Sequence, residues 1–187
     1  MKTIIALSGI KRSGKDSVAA ILVKQGYTHF KFADYLAKLV TEVVGKSIAA
    51  IYSQDNLKEI CIVGYGKSWR ELMIEIGARE RAKDPDVFVK ATIKAVNECK
   101  NDLIVISDVR MTNEIEGLRE AFPDSLCPLI WIERDGCNIN PNIPTENGEC
   151  KSLANYFIGN NDGLADLEKL VLYSLDSLVM PAAERAL

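Results

Sequence analysis

The residues with the clearest chemical use are cations set beside glycine-bracketed turns. Gly9 and Gly14 stand five positions apart, enclose Ile10, Lys11, Arg12 and Ser13, and are followed at once by Lys15, Asp16 and Ser17. The apolar run Ile4-Ile5-Ala6-Leu7 leads into them, and Val18, Ile21 and Leu22 follow at helical spacing. Strand, glycine loop and helix in that order make an anion cradle. Backbone N–H groups point inward, the helix N-terminus adds partial positive charge, and Lys15 brings a mobile full charge. Glycine is required because the loop bends tightly and its backbone must approach the phosphates closely. The pattern departs from G-x-x-x-x-G-K-[ST] in one place: Asp16 occupies the hydroxyl position and Ser17 comes one residue late.

A phosphate loop implies a nucleoside triphosphate without saying what becomes of it. Asn160-Asn161-Asp162-Gly163 does not supply the base-reading N-K-x-D of GTPases. Asp108 is followed by Val109 and Arg110, not by the second acid common in motor and remodelling ATPases. Lys11, Arg12, Lys15, Arg70, Arg110 and Arg134 fall in loops or at helix starts near one expected edge of the fold. Phosphoryl transfer is catalysed mainly by positioning and charge stabilisation. A phosphate monoester acceptor has a second pKa of about 6 and is already a nucleophile near neutrality, so it needs clamps more than a base. A hydroxyl acceptor would instead call on a base such as Asp108.

The elements that must position these groups follow from periodicity. The sequence predicts strands over residues 3–7, 28–32, 103–106, 129–132 and 156–158. It predicts helices over 14–24, from 33, from 68 to Gly77 or a little beyond, from 84, after Arg110 with Glu114 and Glu116 in its first turn and a stop near Phe122-Pro123, and over 164–178. Asp84 is placed as an N-cap with Pro85 at the first helical position. Residues 45–67 are the hardest to assign: one short helix over 56–62 is expected there, then a Gly64-Tyr65-Gly66 turn. Residues 135–149, rich in Gly, Asn and Pro, are expected to form a loop. Strands alternating with helices give an α/β, three-layer domain with a mainly parallel five-stranded sheet, spanning residues 1–187. Ligands gather beyond the carboxyl ends of such strands, where the glycine loop, Asp34, Asp108, Arg110 and Arg134 all fall.

At 187 residues the chain is long enough to bury roughly 70% of its unfolded surface. A net charge of −3 argues against a polynucleotide partner. Five cysteines without a C-x-x-C pair read as reduced thiols in a cytoplasmic protein. No stretch reaches membrane-spanning length, and no signal peptide is expected. His29, the only histidine, is expected to be structural.

With these residues in view, the chain resembles the phage-type deoxynucleoside monophosphate kinases of the P-loop kinase superfamily. Leu7 to Ser17 is similar to that family's L-S-G-x-K-R-S-G-K-D-T loop, which also carries Asp after the Lys. Trp69-Arg70-Glu71-Leu72-Met73-Ile74-Glu75-Ile76-Gly77 is similar to R-x-L-M-Q-x-L-G, and Asp86-Val87-Phe88-Val89-Lys90 to D-x-[WF]-V-K. Asp108 to Glu114 resembles D-x-R-x-x-x-E, Ile132 to Gly136 resembles I-x-R-x-G, and Ile158 to Gly163 resembles I-x-N-D-G. The resemblance implies a P-loop kinase fold, with an acceptor-side helical segment over about residues 34–82 and a short lid over about 134–150. It implies transfer of the γ-phosphate of ATP, with Mg²⁺, to a deoxynucleoside 5′-monophosphate, in the host cytoplasm if the gene is phage-borne.

Carried over residue by residue, Gly9, Lys11, Arg12, Ser13, Gly14, Lys15, Asp16 and Ser17 would hold the donor phosphates. Asp16 and Ser17 would reach Mg²⁺ through water, because magnesium gives up its waters reluctantly. Arg134 would be the lid arginine between donor and acceptor phosphates, while Asn161 and Gly163 would border the adenine. Arg70 and Arg110 would grip the acceptor phosphate, with bidentate guanidinium geometry. Asp108 would orient Arg110 or a magnesium-bound water. Asp34 and Trp69 would line the acceptor side, and Glu146 matches a T-E pair after the lid. Three departures stand out: Ile143 replaces a frequent His, Ser17 replaces Thr, and residues 45–67 are shorter than some acceptor-side insertions.

Two rivals are open. Ser13-Gly14-Lys15-Asp16 and Ser107-Asp108-Val109-Arg110 also resemble phosphomevalonate kinases of the animal type, which would change the acceptor. A catalytically reduced nucleotide-binding protein would bind ATP without transferring phosphate. A homodimer is left open by the sequence.

Overall fold

A computed structural model describes residues 1–141 and 147–179. These form two compact units: residues 1–31 with 95 onward, and Phe32–Lys94.

The first unit is built on a five-stranded parallel sheet. Its strands are β1 (Thr3–Ser8), β2 (Thr28–Phe30), β5 (Leu103–Val109), β6 (Leu129–Glu133) and β7 (Tyr156–Gly159), in the order β2-β5-β1-β6-β7. The continuous apolar runs of β1 and β5 occupy the centre because a strand covered on both faces needs no polar side; Ile4 to Leu7 and Ile104 to Ile106 are fully buried. Period-2 alternation divides β1 between two cores. Ile5 and Leu7 join Val105, Ile130 and Ile132 under α1 (Lys15–Lys24) and α7 (Leu164–Val179), which contribute Val18, Ile21, Leu22, Leu167 and Val171. On α6 (Thr112–Ala121), Ile115 and Leu118 are fully buried. The three-layer α/β architecture with a mainly parallel five-stranded sheet is therefore as expected.

One irregularity bears on the site. Ala6 lies opposite Ile106, yet Ser8 lies opposite Val109, so β5 carries one more residue than β1 at its carboxyl end. A bulge there re-aims the side chains that follow. Ser8 Oγ donates to the Val109 carbonyl at 2.7 Å and pins the distortion. His29 Nε2 and Ser107 Oγ lie 2.6 Å apart across β2 and β5.

The second unit holds α2 (Phe32–Val44), α3 (Lys46–Tyr52), a two-stranded antiparallel ribbon of β3 (Cys61–Ile62) and β4 (Lys67–Ser68), α4 (Trp69–Lys83) and the first turns of α5 (Val87–Glu98). Here the sequence reading is corrected at the helix starts. The helix expected over 56–62 is absent: Gly45, at φ +86°, starts α3 instead, and residues 54–60 close as successive turns before β3. α4 also runs through Gly77 to Lys83. A Cβ at Gly77 would sit 3.2 Å from Leu36 Cδ2, so this glycine admits α2 rather than ending α4. Ser68 and Glu71 form a reciprocal capping box on α4. The helix expected to open with Asp84 as N-cap and Pro85 first begins instead at Val87; Asp84 ends α4, and its side chain accepts from the Asp86 N–H at 3.1 Å.

Candidate phosphoryl-transfer site

The glycine loop is over-determined. Gly9 (φ +145°) and Gly14 (φ +107°) occupy backbone space that L side chains rarely enter. A Cβ at Gly9 would fall 2.4 Å from the Ile132 carbonyl oxygen, and one at Gly14 would fall 2.2 Å from Asn160 Nδ2. The same Asn160 Nδ2 donates to the Ser13 carbonyl at 2.8 Å, tying the loop to the turn after β7. Arg12 takes φ +69° without being glycine, a strained exposed position of the sort found where a loop serves a ligand. Gly14 is the N-cap of α1 and makes no side-chain cap hydrogen bond.

Lys15 is the electrostatic centre. It is only 8% exposed, and its Nζ donates to the carbonyls of Gly9 at 2.7 Å and Ile10 at 2.8 Å. Burial pushes its pKa down to about 8, and the Arg110 guanidinium pushes the same way; Asp16, Asp108 and Cys137 push back. Charged groups at the start of α1 and at the end of β5 thus act on one ammonium. Asp16 is paired with Lys31 at 2.6 Å, with most of its side chain exposed. Glu114, buried at the start of α6, accepts from the N–H groups of Arg110 at 2.8 Å and Met111 at 3.1 Å, and this fixes the backbone that carries Arg110.

A cleft of roughly 370 Å³ opens beside the loop, with Ile10, Ser13, Trp131, Arg134, Cys137 and Lys151 on its wall. Asn161 Oδ1 accepts from the Asp135 N–H at 2.9 Å, bracing the backbone next to Arg134 from the same turn that supplies Asn160. Gly163 turns at φ +97° into α7. Among the described residues Ser13 Oγ is the one buried side-chain polar atom without a hydrogen-bond partner.

The first unit therefore contains Gly9, Lys11, Arg12, Ser13, Gly14, Lys15, Asp16, Ser17, Asp108, Arg110, Arg134, Asn161 and Gly163. Asp34, Trp69 and Arg70 belong to the second: Asp34 is exposed in the first turn of α2, Trp69 is 3% exposed, and Arg70 pairs with Glu59 at 3.4 Å. Glu146 and Ile143 lie outside the described residues. The sequence reading gave no role to Asn160, Glu114 or Lys151. Only Glu114 had a local signal, an acid in the first turn of a helix just beyond a strand end.

A family model for phosphomevalonate kinase matches residues 7–124, which takes in the glycine loop, the second unit, β5 and α6. The chain belongs to the phosphomevalonate kinase family. No curated protein sequence matches it. Among solved structures, TT1252 from Thermus thermophilus is 17% identical, covers 96% of this chain and 99% of its own, and superposes with a TM-score of 0.55. Dephospho-CoA kinase from Campylobacter jejuni is 12% identical, with 95% and 97% covered and a TM-score of 0.53. At these identities the likeness is one of fold. The fold and the family together make the chain a P-loop small-molecule kinase; they leave its acceptor open.

Proposed function

We propose that the chain transfers the γ-phosphate of ATP to a small acceptor that is itself a phosphate monoester, with deoxynucleoside 5′-monophosphates as the acceptor class. The observation that carries this is the cation arrangement of the first unit. Lys15 is walled in by its own loop, Arg110 is near enough to depress its pKa, and Arg134 lines the cleft that Ser13 also lines. A loose phosphoryl transition state needs such stabilisation more than it needs a base.

In this reading the loop N–H groups, Gly9, Ser13, Gly14 and Lys15 hold the donor phosphates. Arg134 bridges toward the acceptor, Asp108 orients Arg110, and Asp34, Trp69 and Arg70 serve the acceptor. Among the described residues no cluster of three or more metal-ligating side chains exists. That suits a magnesium ion carried in on phosphate oxygens, with Asp16 and Ser17 adding oxygen contacts through water. Magnesium would supply charge neutralisation between the β- and γ-phosphates.

A second reading keeps the chemistry and makes phosphomevalonate the acceptor; the family match over residues 7–124 favours it. A coupled ADP-release assay with ATP, magnesium, all common ribo- and deoxyribonucleoside monophosphates and phosphomevalonate decides between them. ADP formation that requires a deoxynucleoside monophosphate supports the first, and formation that requires phosphomevalonate supports the second. Nucleotide binding with no acceptor-dependent turnover contradicts both.

A further inference from the structure

The cleft contains a second cation that the sequence reading did not find. Lys151 lies in a short 3-10 helix, Glu149–Leu153, whose base is fixed. Cys150 is 1% exposed, Glu149 Oε1 accepts from the Thr112 N–H at 2.8 Å, and the Lys151 N–H donates to the Gly148 carbonyl at 2.9 Å. The head of Lys151 is held differently. Its Nζ lies 2.5 Å from Glu133 Oε1 and 5.9 Å from the centre of the Trp131 ring, with both members of the ion pair about half exposed (46% and 47%). Trp131 is itself 4% exposed, so its ring is a floor under the ammonium rather than a stacking platform for a base.

Lys151, Glu133, Arg134 and Ser13 all line the one cleft. Among the described residues the Arg134 guanidinium makes no ion pair or side-chain hydrogen bond. Ser13 Oγ is 0% exposed and lacks a partner. A half-exposed pair such as Glu133–Lys151 is held weakly. A phosphate dianion carries twice the charge of the carboxylate and offers more acceptor oxygens, so it competes for Lys151 on favourable terms.

We propose that Lys151 is a ligand for the phosphate of the acceptor, and that Glu133 stands in for that phosphate until the acceptor arrives. The proposal rests on the kinase reading above and adds to it the residue pair that sets acceptor affinity. It makes a prediction of sign. Removing the cation must weaken phosphate binding, whereas neutralising its stand-in must strengthen it; a pair that merely braced β6 against the 3-10 helix would give both variants the same sign.

The test is calorimetric titration of inorganic phosphate into the full chain saturated with MgADP, which keeps the glycine loop occupied. Lys151→Gln is expected to weaken phosphate at least tenfold and Glu133→Gln to tighten it severalfold, while Lys151→Arg stays within about twofold of the parent and controls for folding. MgADP affinity should be unchanged in all three. Shifts of the same sign in Lys151→Gln and Glu133→Gln, or no shift in either, overturn the proposal. Failure of the parent to bind MgADP overturns the kinase reading instead, and the same phosphate titration without nucleotide then still decides the role of Lys151.

Discussion

The short glycine loop and the longer stretch from Gly45 to Ser68 are specified in opposite ways. In the loop, almost every backbone angle has a local cause: two glycines that a Cβ would break, a lysine folded back on two carbonyls, an asparagine side chain closing the far side. In the other stretch, Val63 is 86% exposed, Ile51 51% and Ile60 48%, and the chain is held by the seven-residue helix α3, by turns and by a ribbon of two residue pairs. Ile62, 1% exposed, and Ala49, 7% exposed, are its buried apolar anchors. A phosphate site has to exist before its ligand arrives, whereas a segment with few buried contacts opens at low cost. The loop is accordingly the rigid part of this kinase, and residues 45–68 are its adaptable part.

Substitutions inside the loop are the strongest challenge to that contrast. Lys15→Ala removes the buried ammonium from the cradle and is expected to lower transfer roughly 10²–10³-fold, about 3–4 kcal/mol of transition-state stabilisation. Turnover near the parent value would place the donor site elsewhere. Gly14→Ala pairs a positive φ with a contact at 2.2 Å to Asn160 and should abolish tight MgADP binding. Isothermal calorimetry reads this directly, and retained affinity would mean the loop is more pliant than described.

A pH titration sharpens the comparison at intermediate size. The pKa of Lys15 is about 8 in the folded chain against an ordinary 10.5. Below pH 8 both states hold the proton and folding bears the full cost of burying the charge. Between 8 and 10.5 the unfolded state holds more proton, so this group's contribution to stability rises with pH. Nucleotide affinity moves the other way, because a phosphate needs the ammonium: MgADP binding should weaken as pH rises through 8 and be far flatter in Lys15→Ala. A pH-independent affinity in the parent would remove Lys15 from the site.

The smallest expected effect lies in the adaptable region. Ser68→Ala deletes half of the capping box on α4 and should cost about 1 kcal/mol of stability, read as a lowered Tm. Turnover per folded molecule should hardly change, since the cap touches no reacting group. A loss of activity larger than the loss of stability would show that this end of α4 is tuned for catalysis.

The same contrast explains what could be read from the sequence. Ile4-Ile5-Ala6-Leu7 and Leu103-Ile104-Val105-Ile106 announce central strands because burial on both faces leaves an unbroken apolar run, and Gly9, Gly14 and Lys15 announce the loop because only those residue types fit it. Residues 45–68 carry no such signature; their exposed apolar side chains defeat periodicity, and the helix placed at 56–62 belongs ten residues earlier. Asn160 and Lys151 could not be seen either. Their partners, Ser13 and Glu133, lie far away along the chain, and nothing in an isolated Asn or Lys says which backbone or carboxylate it will meet. The extra residue in β5 is equally silent until β1 is laid beside it.

Phosphorus-31 NMR of the full chain with ATP, magnesium and the acceptor found active in the panel tests the central claim most directly. The account predicts one new diphosphate for each ADP formed, no free phosphate beyond background, and loss of both products together in Lys15→Ala. Release of inorganic phosphate in step with ADP, with the acceptor untouched, would mean that the site hydrolyses ATP and that its cations do not serve a second phosphate.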